Sequence, residues 1–249
     1  MRTAHKLLTV LKSGRGGADP DAAYVAIVEG LSPVLYWKFD EASGTTAIDY
    51  GSAGGNVTYS ASDIAGQTTG PFGGVAARMV AADSDYIDLG TGGTVESNWP
   101  ANELTISGWV RGYDGAWADA VQNFSLAINS ASELLWLQNV NTPNSISYRY
   151  KVATTIKQAT AVLSPVPGTT WHHIMWTISL SNDRLFLYFD NAQILTTTGL
   201  PTWTGAAWSL ARLGSNGAAY GNFDYAHWAV FNNELDATAR TALYNEGPV

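Results

Sequence analysis

Apolar residues along this chain fall in short runs, partly alternating with polar ones and broken repeatedly by glycine, proline, asparagine or serine, which is the pattern of β-strands joined by tight turns. Such runs are VLYWKF from Val34, DYIDL from Asp85, LTISGWVR from Leu104, FSLAI from Phe124, ELLWL from Glu133, SISYRYKV from Ser145, HHIMWTISL from His172 and RLFLYF from Arg184. In SISYRYKV the alternation is only approximate, which predicts a partly exposed strand. Two segments carry a helical signal instead. Asp19-Pro20-Asp21 sets an N-cap before a proline at the first helical position; Ala23, Ile27 and Leu31 can then share a face, and Gly30 and Pro33 end the helix. Near the C-terminus Asp236 caps a short helix within Leu235 to Asn245. Asp190-Asn191 predicts a two-residue hairpin turn, because asparagine tolerates positive φ. The chain has no internal repeat of fixed period.

Several of these runs form an ordered set. YWKFDEASGTTAIDYGSAG at Tyr36 to Gly54, LTISGWV at Leu104 to Val110, TWHHIMWTIS at Thr170 to Ser179 and RLFLYFDNAQI at Arg184 to Ile194 are followed by GNFDYAHWAVFNNELDATARTALYNEG at the C-terminus. Together they resemble the laminin-G-like, concanavalin A-like jelly-roll family from about Pro33 to Gly247. The resemblance implies an all-β, two-sheet antiparallel sandwich, with a short N-terminal helix and arm over residues 1–32, the sandwich domain over residues 33–249, and a short C-terminal helix. The lead-in helix running into SPVLYWKFDE looks like the version found in bacterial surface proteins and tailed-phage virion proteins. Two departures stand out: Asn191 where the family often has Gly, and Ala226-His227 where an Asp-Glu pair is frequent. The second weakens any carry-over of a function that depends on those acids.

Length and composition fit one large β core: 249 residues, 46% hydrophobic, 14% charged and rich in glycine. With no cysteine there is no disulfide framework, thiolate metal site or cysteine nucleophile. The apolar stretch at Leu7 to Leu11 is cut short by Lys12 and has no cleavage site after it, so no secretory signal is expected. No stretch approaches the ~20 apolar residues of a membrane helix. The net charge of −8 is unevenly spread. Arg2, Lys6, Lys12 and Arg15 stand in the first 17 residues without an acid, leaving 9 basic against all 21 acidic groups, a net of −12, in the rest. A basic arm thus precedes an acidic body. The four basic residues are candidates for docking on an acidic neighbouring subunit, the alternative being a solvated tail. Nucleic-acid binding is not expected, because the body would repel phosphates.

Catalytic chemistry finds little support. A retaining glycosidase needs two carboxylates about 5 Å apart, whereas Asp40-Glu41 are adjacent and Asp85 and Asp88 fall on opposite strand faces. His172 and His173 likewise project to opposite faces, and their tryptophan neighbours suggest packing. Calcium is the credible ion, with Asp83, Asp85 and Asp224 as candidate ligands, but no spaced calcium-loop motif assigns them. Trp37, Trp109, Trp171, Trp176 and Trp228 lie in strand motifs and read as core anchors. Trp99, Trp117, Trp203, Trp208 and Tyr220 lie in or beside glycine-, proline- or alanine-rich loops; of these, Trp117, Trp203, Trp208 and Tyr220 are the expected ligand-binding residues. The expected function is a non-enzymatic, virion-associated structural or adhesion module on a virion surface, assembled in the host cytoplasm. Its expected partners are neighbouring capsid or tail subunits, copies of itself or cell-surface glycan, with neither nucleic acid nor membrane. A calcium-assisted lectin module of a bacterial surface protein is the alternative, and a glycoside hydrolase the weakest reading.

Overall fold

The computed structural model describes residues 20–100, 102–113, 117, 126–138 and 144–247. The expected all-β, two-sheet antiparallel sandwich is what they form. The first sheet holds, in spatial order, β14 (Ala192–Thr197), β13 (Arg184–Phe189), β12 (His172–Ser179), β7 (Glu103–Gly112), β16 (Phe223–Phe231), β5 (Val75–Met79) and β4 (Thr68–Thr69), with β1 (Leu35–Trp37) also on β16. The second runs β11 (Thr155–Val162), β10 (Ser145–Val152), β9 (Glu133–Gln138), β8 (Leu126–Ser130), β15 (Trp208–Leu213), β6 (Ile87–Asp88), β3 (Val57–Tyr59) and β2 (Thr46–Ala47). The Phe124 and Ser125 part of the predicted FSLAI strand lies outside the described residues, as does the Asp19 cap. At the predicted hairpin both Asp190 and Asn191 have positive φ, 47° and 63°, which matches the right-handed twist of β13 and β14.

Between the sheets lies the main core, built on Trp37, Trp176, Trp228, Tyr148, Tyr225 and aliphatic residues from both inner faces. SISYRYKV is more buried than its pattern predicts: Ile146, Tyr148 and Tyr150 turn inward, and Ser145 and Ser147 are also buried, leaving Arg149, Lys151 and Val152 partly exposed. Gly108 on β7 faces the Trp228 indole so closely that a Cβ would overlap the ring. Because Trp228 is itself buried and cannot retreat, Gly108→Ala is expected to cost about 1–3 kcal/mol by overpacking. Urea unfolding measures this, and a loss within ~0.5 kcal/mol, the usual range of an inconsequential change, would contradict the packing.

A second core covers the outer face of the first sheet. Helix α1 (Pro20–Gly30) lays Tyr24, Ile27 and Val28 on it, one step around from the predicted Ala23 and Ile27 face, and α3 (Ala237–Asn245) adds Leu243. A single short helical turn, α2 (Thr94–Ser97), lies between β6 and β7. The Asp236 carboxylate accepts the Ala239 N–H at 2.8 Å, capping α3 as expected. These helices meet Trp109, Met175, Tyr188, Ala226 and Phe231 from the strands.

Candidate binding face

With the first sheet backed by α1 and α3, the outer face of the second sheet is the broad β surface that no described helix covers. Residues alternate along each strand, so inward Leu135, Leu137, Tyr148, Tyr150, Ala211 and Leu213 force Trp136, Arg149 and Arg212 outward. The antiparallel register then aligns one row across the sheet: Gln158, Arg149, Trp136, Ala127, Arg212, Asp88 and Thr58. Trp136, Arg149, Arg212, Tyr86 and Asn129 are all partly exposed. Asn129 fixes the indole by accepting its Nε1–H at 2.6 Å. The Arg149 guanidinium lies over Trp136 at 5.8 Å, and that of Arg212 over Tyr86 at 3.8 Å. Tyr220, also partly exposed, stands 6.5 Å from Tyr86. Aromatic planes, guanidiniums and an amide thus share one face, a combination suited to binding polar ligands with apolar faces.

Of the sequence-derived ligand residues, only Tyr220 reaches this face. The three tryptophans are buried, which corrects their placement as exposed loop rings. Trp117, 3% exposed, packs edge-on against Phe223 and Phe189 at 5.1 and 5.8 Å. Trp203 meets Tyr150 at 5.9 Å and Trp208 meets Trp99 at 5.5 Å, each tryptophan 7% exposed. Trp208 opens strand β15, and burial of these large apolar side chains stabilises the fold. Arg2, Lys6, Lys12 and Arg15 lie outside the described residues.

The acidic candidates serve the framework. Asp224 is fully buried between Arg78 and Arg111, with Nε contacts of 2.8 Å from each. Asp85 accepts the Val80 N–H at 3.0 Å, and Asp83 is exposed. Among the described residues no three His, Asp or Glu side chains cluster as a metal site. Asp40 pairs with Lys38 at 2.9 Å, while Glu41 accepts from the Ile48 N–H and the Tyr59 hydroxyl.

His227, isolated in sequence, is joined by the fold to Asp21 and Tyr36. It sits at a bulge in β16 with φ 53°; its Nε2 lies 2.9 Å from Asp21 and its Nδ1 lies 2.8 Å from the Tyr36 hydroxyl. Burial alone would raise the Asp21 carboxyl, but His227 and Lys38 hold it below its usual range. Asp21, Asp40, Phe72 and His227 line a cavity of about 160 Å³. Tyr36 is fully buried and burial pushes its hydroxyl well above the usual range; through His227 it joins Asp21 of α1 to the sheet.

No protein-family model matches the sequence, and no curated protein matches it. Solved structures do match in fold. The receptor-binding domain of botulinum neurotoxin mosaic serotype C/D superposes with a TM-score of 0.66 at 12% identity, over 86% of this chain and 50% of that one. The serotype C1 binding domain gives 0.62 at 14%, over 88% and 52%. The binding domain of botulinum neurotoxin DC in complex with rat synaptotagmin II gives 0.62 at 14%, over 86% and 51%. This chain therefore spans about half the length of the chains it matches, and the likeness is one of β-sandwich fold.

Proposed function

We propose that this chain is a non-enzymatic binding module that engages carbohydrate with the open face of its second sheet. The observation that carries this reading is the juxtaposition of Trp136, Tyr86 and Tyr220 with Arg149, Arg212 and Asn129 on a face that no described helix covers, while the opposite sheet is helix-covered. The receptor-binding domains among the fold neighbours support a binding rather than a catalytic role. A glycan array in calcium and in chelator tests it. For any glycan retained, Trp136→Ala is expected to weaken binding by about tenfold or more, roughly 1.4 kcal/mol, as for a central aromatic anchor. An unchanged affinity in a folded variant would move the site elsewhere.

The module's proposed setting is a virion surface, with the basic arm docked on an acidic neighbouring subunit. The charge contrast between the arm and the acidic body supports this. Because Tyr24 and Val28 of α1 belong to a core, the informative truncation begins at Pro20, which removes the arm and spares the helix. Equal particle association by the full and truncated chains would overturn the arm's role.

A further inference from the structure

We propose that the open face of the second sheet selects an acidic oligosaccharide built of uronic acids, with Arg149 and Arg212 as its carboxylate receptors; this rests on the carbohydrate-binding reading above. The described arginines divide sharply by their partners. Arg78 and Arg111 share Asp224, Arg184 binds Glu234, and Arg240 donates to the Asn191 amide oxygen. Arg149 and Arg212 differ: among the described residues neither meets a carboxylate within ion-pair distance or donates a side-chain hydrogen bond to a protein acceptor. The Arg149 Nε is buried with no hydrogen-bond partner among the described residues. Among the described residues each guanidinium lies over one aromatic ring, Trp136 for Arg149 and Tyr86 for Arg212. Asp88, opposite Arg212 in register, accepts the Gly90 N–H at 2.9 Å. In a chain with excess negative charge, two arginines without anionic partners on one sheet face, with Lys151 outward on the same strand as Arg149, are poised for an anion from outside.

Geometry narrows the class. A guanidinium fork matches a planar carboxylate through two parallel N–H···O bonds, a fit that the aromatic planes help to pre-organise. Arg149 and Arg212 are separated by three interstrand gaps across β10, β9, β8 and β15, about 14 Å. A single terminal acidic sugar would satisfy one of them. A uronic acid oligomer carries a carboxylate on every ring and can reach both, while its apolar ring faces lie along the partly exposed Trp136 indole. The row also makes a glycan the better fit than an acidic peptide, since Asn129 beside Trp136 and Gln158 beside Arg149 offer amides to ring hydroxyls.

Isothermal titration of the full chain with trigalacturonate, and with maltotriose as its neutral counterpart, tests the inference. Trigalacturonate is expected to bind at least about tenfold more tightly than maltotriose and to weaken as salt rises. Arg149→Gln and Arg212→Gln should each remove about tenfold of that preference. Arg149→Lys and Arg212→Lys, which keep charge but lose the fork, should recover only part of it. Equal binding of both sugars, unchanged by the arginine variants but weakened by Trp136→Ala, would overturn the acidic specificity and leave the carbohydrate reading standing. Loss of response to both sugars would overturn the inference, and silence across the glycan array would overturn the carbohydrate reading as well. Tighter binding of a heparin-derived sulfated tetrasaccharide or of oligoglutamate would overturn the uronate assignment.

Discussion

Asp224→Ala is expected to lower the free energy of unfolding by about 3–5 kcal/mol, among the largest effects of any single substitution in this chain. The carboxylate lies on the central strand β16, directly opposite Arg78 of β5 and Arg111 of β7 in the antiparallel register. It receives contacts from both guanidiniums, which also converge on the Thr68 hydroxyl and lie over the Tyr113 and Trp171 rings at 4.2 and 4.9 Å. Removing the acid leaves two cations facing each other beside a fully buried position. Arg78 and Arg111 side chains are 31% and 19% exposed, so hydration relieves part of the cost and places the loss toward the lower end. Asp224→Asn, which keeps shape and hydrogen-bond acceptance, should lose less. Urea unfolding followed by tryptophan fluorescence reads both, and a loss below about 1 kcal/mol for the alanine variant would mean the triad contributes little beyond packing.

Acid is expected to destabilise the fold through His173. This imidazole is fully buried; its Nε2 lies 2.8 Å from the Ser107 hydroxyl, and its Nδ1 has no hydrogen-bond partner among the described residues. Burial penalises the cation, a penalty that the Asp190 charge only partly offsets, and lowers the pKa from 6.5 to about 4. The unfolded chain therefore binds more protons between these values, so stability falls as pH drops through that window. The contribution is fully present above about pH 6.5 and lost by about pH 4, a change of about 3 kcal/mol. Carboxylates also titrate in acid, so the test is a comparison with His173→Phe, whose stability should decline less steeply between pH 7 and 4. Parallel profiles for the two proteins would remove His173 from the account.

Particular elements show how far local pattern reached. Asp190-Asn191 and the Asp236 cap were legible because a turn and a cap depend on a few neighbouring residues. The opposite-face argument for His172 and His173 holds for the same reason. His172 contacts Asp190 at 2.7 Å and stacks on Phe189, whereas His173 turns toward Ser107 and Trp109 on the other side. Loop tryptophans were misjudged because loop composition does not say whether a loop folds back over a sheet end. Trp117 and Trp203 are buried, and Trp208 begins strand β15 rather than a loop; all three gain more from burial than from exposure. Trp136 and Arg149 stood in predicted strands, but nothing local indicated which way Trp136 faces or that the two are cross-strand partners.

By itself, then, the amino-acid sequence determined the strand-rich class, several turns and caps, the absence of thiol chemistry and the basic-then-acidic charge profile. Each of these depends on composition or on residues close along the chain. The tertiary structure alone decided strand order, which sheet face α1 and α3 cover, and the meetings of Asp224 with Arg78 and Arg111 and of Tyr36 with His227, 191 positions apart. Backbone ladders pair strands through groups that every residue other than proline carries, so local sequence leaves the partner open. Pairing is resolved only when the whole chain buries its apolar faces together, and the same resolution leaves the row from Arg149 to Arg212 facing outward.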